Sequence, residues 1–160
     1  MWQNLIQALQ ELSDAYAALL DIETKKGGVL VAVNMKGLEA LLGEEEQQLE
    51  RIRVAEKRRQ DALLALSKEI PSSHAATTMA EVEAACPKEF RASLRALHKT
   101  LGERVEKARE AGGTNEFLIR HALGAVEYHL NRLSNSSIDP TYGQSGKESV
   151  TREMKFDFQA

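Results

Sequence analysis

Cysteine, proline and aromatic residues are all scarce in this chain of 160 residues. Its one cysteine, Cys86, excludes an internal disulfide and is typical of a reducing compartment. Three prolines and an aromatic content of 5% argue against a β-sandwich or β-barrel and favour helices packed through aliphatic side chains. None of the four histidines has the Glu-x-x-His or His-Glu-x-x-His spacing of a metal site. We therefore expect no enzyme, no metal and no other cofactor.

A strong excess of charge and a long apolar run are missing as well. The formal net charge is −3, which gives no general attraction to nucleic acid or to an anionic membrane. No apolar run approaches the roughly 20 residues that a membrane span requires. The first residues lack the basic flank and apolar core of a signal peptide. These absences predict a cytoplasmic protein that does not bind nucleic acid and does not insert into a membrane.

Leucine periodicity predicts two helices in the first half of the chain. The first helix is expected to weaken at Gly27-Gly28, because glycine costs roughly 1 kcal/mol relative to alanine inside a helix. Asn34 is a suitable N-cap for the second helix, which Pro71 ends. This helix has a strict heptad, which consists of Leu38, Leu42, Glu45, Leu49, Ile52, Glu56, Arg59, Leu63, Leu66 and Ile70.

A short helix and a very long one are predicted in the second half. Thr78 and Glu81 have capping-box spacing, and Pro87 suits the first turn of the long helix. From Phe90 to Leu133, apolar or small residues recur about every 3.6 residues, the period of a nearly straight helix. The predicted fold is all-α: an elongated antiparallel bundle of three long helices plus a short helix over residues 1–135, with a flexible tail over 136–160.

Four residues in the helical seams are candidates for setting the helix register. Glu56 and Arg59 lie one turn apart and can neutralise each other or reach water. Gly112 and Asn115 interrupt the apolar stripe of the long helix, whose phase nevertheless continues across Gly112. Asparagine in a seam fixes register at a cost in stability. Asn115 is therefore either a register device inside the chain or a polar contact for a partner.

The end of the long helix carries a broad apolar band. Its members are Leu118, Ile119, Leu123, Val126, Leu130 and Leu133. The first two helices are shorter and are expected to leave this end uncovered, and a large exposed apolar surface usually marks an interaction site. The alternative is that the first helix or a second copy of the chain covers the band.

Several motifs together resemble the FlgN family of flagellar export chaperones. They are Glu56-x-x-Arg59, Asn115-Glu116-x-Leu118 and Thr141-Tyr142-Gly143-x-x-Gly146, on a plan of one amphipathic helix, one Glu/Arg-rich helix and one long helix. The family often has two asparagines three residues apart, and this chain has Gly112 at the first of those positions.

The resemblance implies a cytoplasmic, non-catalytic chaperone. Its partners would be hook-associated flagellar proteins, bound through their C-terminal helices, and the membrane protein that forms the export gate of the flagellar type III apparatus. The resemblance assigns export-gate docking to Tyr142. Ile138 is expected to join the apolar band in contacting the bound helix. The competing interpretation is a helical bundle without a client that self-associates, as a homodimer for example, through the same band.

Overall fold

The computed structural model describes residues 1–68 and 79–136, with side chains up to Ser134. The described residues form four helices: α1 (Trp2–Val31), α2 (Met35–Ser67), α3 (Met79–Ala85) and α4 (Lys88–Ser136). Three long helices and one short helix confirm the predicted all-α class. The predicted flexible tail lies, from residue 137 onward, outside the described residues.

The chain divides into two compact units, Met1–Ala122 and Leu123–Ala160. The first unit contains α1, α2, α3 and most of α4, and the second begins with the last turns of α4. The predicted boundary between residues 135 and 136 stays a prediction.

In the first unit, two ion pairs show that α1 and α2 run antiparallel. Arg58 Nη1 of α2 donates to Glu11 Oε2 near the start of α1, at 2.6 Å. Lys26 Nζ, near the end of α1, donates to Glu45 Oε2 in the first half of α2, at 2.7 Å. Residues late in one helix therefore meet residues early in the other.

Helix α4 runs in the same direction as α1 within this unit. Arg104 Nη1 donates to the Ser13 carbonyl at 2.9 Å, and Asn115 Nδ2 donates to the Glu23 carbonyl at 2.8 Å. Contacts thus advance along both helices together, and the three long helices alternate up, down and up.

All four helices contribute to one hydrophobic core in the first unit. Its buried members are Leu5, Leu9 and Leu12 from α1, Ala55 and Leu66 from α2, Val82 from α3, and Leu94 and Leu101 from α4, together with Cys86. Burial raises the pKa of the Cys86 thiol, which keeps it protonated and packed as a small apolar side chain.

At the turn between α1 and α2, the end of α1 differs from expectation, whereas the start of α2 agrees with it. Helix α1 continues through Gly27 and Gly28 to Val31, and Asn34 caps α2 as predicted by accepting from the Gly37 N–H at 3.0 Å. The Asn34 N–H closes the end of α1 by donating to the Val29 carbonyl at 2.9 Å. Val33 takes the left-handed position that this motif requires, with φ 53°.

The predicted heptad of α2 is wrong at two positions. Leu42 and Leu49 are exposed, whereas Leu41 and Ala55 are buried. Over this part of α2 the buried face is offset by one residue from the predicted heptad, whereas Leu66 is buried as predicted. Leu42 and Leu49 consequently lie on the outer edge of that face.

The predicted continuity of α4 across Gly112-Gly113 is confirmed, since a single helix runs from Lys88 to Ser136. Pro87 lies one residue before this helix rather than inside its first turn. Its carbonyl accepts from the Phe90 N–H at 3.0 Å, so Pro87 occupies the capping position.

Candidate functional site

The last turns of α4, in the second unit, carry an exposed aliphatic surface, which we call the distal band. Its residues are Leu123, Val126, Leu130 and Leu133, and their exposed fractions lie between 55% and 66%. Steps of three and four residues place all four on one face of the helix. Contiguous exposed apolar surfaces of this kind usually mark interaction sites in proteins.

The other residues predicted for this site have different surroundings. Leu118 and Ile119 belong to the first unit and are half-buried. Ile138 and Tyr142 lie outside the described residues. The structure therefore brings four of the predicted aliphatic residues together on an exposed surface and leaves Leu118 and Ile119 partly covered.

Two exposed aromatic residues of α4 escaped the sequence analysis. Phe117 and Tyr128 are both largely exposed, and the Phe117 ring lies 4.2 Å from the His121 ring between centroids. They are three whole helical turns apart, on the side of α4 opposite the apolar stripe. The signal was present in the sequence as aromatic residues outside the apolar period.

Asn115 is buried in the first unit and reaches across to α1. Its Nδ2 donates to the Glu23 carbonyl at 2.8 Å and to Glu23 Oε2 at 2.6 Å. A bond to a carboxylate is stronger than one between neutral groups. Of the two roles predicted for Asn115, the structure thus supplies the geometry for a contact inside the chain.

The Glu23 carboxylate belongs to a larger buried cluster that the sequence analysis missed. Lys26 Nζ donates to Glu23 Oε1 at 3.0 Å and to Glu45 Oε2 of α2 at 2.7 Å. Burial alone would raise the pKa of Glu23, but the hydrogen bonds from Asn115 and Lys26 outweigh it and lower that pKa. For Lys26, burial is likewise outweighed by its two carboxylate partners, and its pKa is raised. Glu23 and Lys26 therefore stay ionised at neutral pH, and the cluster ties three helices together.

Two glycines leave room for this cluster. A Cβ atom on Gly27 would lie 3.0 Å from Asn115 Oδ1, which is tighter than an ordinary contact. A Cβ atom on Gly112 would lie 3.8–3.9 Å from the Glu23 carboxylate, an ordinary van der Waals distance. A side chain at position 27 would therefore force the Asn115 side chain to shift by a few tenths of an ångström, whereas one at position 112 would meet only ordinary contacts.

Glu56 and Arg59 neutralise each other, as one of the two predicted alternatives had it. Arg59 donates from Nε to Glu56 Oε2 at 2.8 Å and from Nη2 to Oε1 at 2.6 Å. The hydrogen bonds from Arg59 lower the pKa of Glu56 despite partial burial. The pair borders an open groove of about 340 Å³ in the first unit, whose apolar walls include Leu5, Leu9, Leu63 and Val82. The charges of Glu56 and Arg59 therefore pair with each other at the edge of the groove.

Within the described parts of the chain, no three histidine, cysteine or acidic side chains come together as metal ligands. His121 and His129 are exposed on α4. None of the helices in residues 1–68 and 79–136 combines the length and hydropathy needed to cross a bilayer.

Comparison with known proteins gives one match. The family model described as FlgN protein matches residues 1–149 of the 160. No curated protein and no solved structure matches the chain.

Proposed function

The chain belongs to the FlgN family, whose members are flagellar export chaperones, and we propose that its clients are the hook-associated proteins of the hook–filament junction. In this proposal it binds their C-terminal helices in the cytoplasm and delivers them to the flagellar type III export apparatus. The observation that carries the proposal is the exposed distal band on α4.

The distal band fits one amphipathic helix laid along α4. Four aliphatic side chains at steps of three and four residues match the way a helix presents its own apolar face. Fully burying a leucine-sized side chain stabilises a complex by about 1.5–3 kcal/mol before the costs of association.

Three further residues are included in the client site. Leu118 and Ile119 lie on the same continuous helix just before the distal band, and their half-buried side chains can extend the contact by one turn. Ile138 follows the end of α4 and is proposed as an additional apolar contact on the basis of the sequence.

Tyr142 is proposed to dock the chaperone on the membrane protein of the export gate. The support is the family resemblance around Thr141-Tyr142-Gly143. Replacing Tyr142 by alanine is expected to abolish binding to the purified cytoplasmic part of that membrane protein while leaving client affinity unchanged. Loss of client affinity in this variant would move Tyr142 into the client site.

Titration calorimetry against the C-terminal helical segment of a hook-associated protein tests the client site. We expect saturable binding in a 1:1 ratio. Val126→Glu places a carboxylate in the apolar contact and is expected to weaken binding at least about 100-fold, without loss of helix content because Val126 is exposed. Val54→Glu is the matched control, since Val54 is an exposed valine of α2.

The same titration separates the proposal from its alternatives. Absence of binding by the wild-type protein, together with a dimer that Val126→Glu converts to a monomer, would favour a self-associating bundle without a client. Equal affinity of the wild type and Val126→Glu would place the client elsewhere on the chain. A variant ending at Asn135 measures the contribution of Ile138 and the residues that follow it.

A further inference from the structure

The outer edge of α2 carries an exposed apolar strip that the proposed client site does not use. Met35, Leu42 and Leu49 follow each other at intervals of seven residues and are all exposed, by 57%, 47% and 40% respectively. Seven residues are two helical turns, so the three side chains line one edge of the helix over about 21 Å. Scattered apolar residues are ordinary on a surface, whereas a heptad-spaced line is typical of a helix that packs against a second helix.

Acidic side chains border this strip on its solvent side. Glu39 and Glu46 lie four residues after Met35 and Leu42, which places each beside the strip on the same face. Residues 35–50 contain five glutamates and one lysine. Glu45 is the exception to this row, because it turns inward to the buried Lys26. The strip therefore has an apolar line and a negative border.

We propose that this strip, Met35, Leu42 and Leu49 with Glu39 and Glu46, docks an amphipathic helix whose apolar face is flanked by lysine or arginine. The heptad spacing selects a helix as the occupant, and the two glutamates select its charge. Basic residues at the flanking positions of the incoming helix lie opposite the carboxylates, the arrangement that sets partner choice in coiled coils.

The charges argue against a second copy of this chain. In an antiparallel pair of α2 helices centred on Leu42, Glu39 of each helix would lie beside Glu46 of the other, and these like charges disfavour self-association. In a parallel pair, Glu39 and Glu46 would lie beside Leu41 and Gln48 of the partner, which offer no positive charge. A lipid surface is disfavoured as well, because the strip contains no aromatic residue and its border repels anionic headgroups.

A pair of synthetic peptides tests the proposal on the full-length protein. Both have 21 residues with leucine at the a and d positions, and they differ only in carrying lysine or glutamate at the flanking positions. We expect the lysine peptide to bind at least tenfold more tightly than the glutamate peptide. The double variant Glu39→Lys/Glu46→Lys is expected to reverse that preference, as measured by fluorescence anisotropy in 0.15 M salt.

Two further variants separate docking on the strip from general attraction. Leu42→Asn is expected to weaken binding of the lysine peptide at least fivefold, whereas Leu64→Asn, at a more exposed leucine near the end of α2, leaves its affinity unchanged. Unchanged affinity in Leu42→Asn would overturn the proposal, as would a loss caused by Val126→Glu instead, which would place the peptide on the distal band. A dimer that dissociates in Leu42→Asn would assign the strip to a second copy.

Discussion

Helix α4 carries one apolar stripe through two different surroundings. In the first unit, Leu94, Leu101 and Ala108 are buried against neighbouring helices. In the second unit, Leu123 and Leu130 continue the same stripe with more than half of each side chain exposed. The residue types and their period are alike in both regions, so periodicity marks a face that packs against something without saying what covers it.

Asn115 is the last buried residue along α4 in the described part of the chain. Its bonds to Glu23 bring together α1 and α4 immediately before the stripe becomes exposed. A polar contact of this kind has few alternative registers, because a shift by one residue would leave the Glu23 carboxylate buried without its amide partner. The two regions therefore differ in how the stripe is covered. In the first unit neighbouring helices cover it as far as the Asn115 contact, and in the second unit it is exposed.

The largest expected effect is a difference in the free energy of unfolding between a leucine-to-alanine substitution in the covered region and one in the exposed region. Leu94→Ala removes a fully buried side chain and is expected to lower the free energy of unfolding by about 2–5 kcal/mol. Leu130→Ala removes an exposed one and is expected to change it by less than about 0.5 kcal/mol. Urea denaturation of both variants measures the contrast. Comparable losses at the two positions would mean that the distal band is covered in solution.

The second prediction concerns the hydrogen bonds between Asn115 and Glu23, at which the covered region of α4 ends. Asn115→Ala removes both hydrogen bonds to Glu23 and leaves a buried carboxylate less well satisfied, so we expect a loss of about 1–3 kcal/mol in the free energy of unfolding. Asn131→Ala is the control, because Asn131 is exposed on the same helix. Equal stability of the two variants would show that the Asn115 contact does not hold α4 on α1.

The buried cluster also makes stability depend on pH with a definite sign. The folded protein lowers the pKa of Glu23, so the stability that this group contributes is complete above its ordinary value of 4.5 and is lost as pH falls through the lowered pKa. The raised pKa of Lys26 adds stability that is complete below 10.5 and is lost only as pH rises through the raised value. Glu23→Gln is therefore expected to flatten the decline of stability below pH 4.5. An unchanged decline would contradict the assignment.

The smallest expected effect is an increase in the free energy of unfolding when Val33 is replaced by glycine. Val33 occupies a left-handed conformation that costs a β-branched residue about 1–2 kcal/mol, and its exposed side chain recovers little by packing. Val33→Gly is expected to raise the free energy of unfolding by about 1 kcal/mol. Ala32→Gly, at an exposed residue with φ −78°, is the control and should destabilise slightly. A destabilised Val33→Gly would show that the valine makes contacts that offset its strain.

Much of the fold follows from local sequence signals. Apolar periodicity predicted the three long helices and capping-box spacing predicted the short one. Asn34 identified the start of α2, and the unbroken phase of the stripe indicated that α4 continues through Gly112-Gly113. Each of these signals acts within a few residues of the position that it determines. Gly27 did not mark a weak point of α1 as expected, because the helix continues to Val31. The glycine instead permits the close approach of Asn115 from α4.

What sequence could not supply are the pairings between distant residues. Glu23, Lys26 and Glu45 look like ordinary surface charges until α1, α2 and α4 are placed side by side. The predicted heptad of α2 placed Leu42 in the seam, whereas Leu41 is the buried residue, a difference that depends on how the helices pack together. For the site, the short first two helices led us to expect that the end of α4 is uncovered, whereas the partial burial of Leu118 and Ile119 depends on the three-dimensional arrangement.

Hydrogen–deuterium exchange on the full-length protein, with and without the C-terminal helical segment of a hook-associated protein, tests whether the client binds the exposed end of α4. We expect bound client to slow amide exchange in residues 118–133 of α4 and to leave exchange unchanged in residues 88–108, which are already packed in the first unit. Protection confined to other parts of the chain, with no change in residues 118–133, would contradict it.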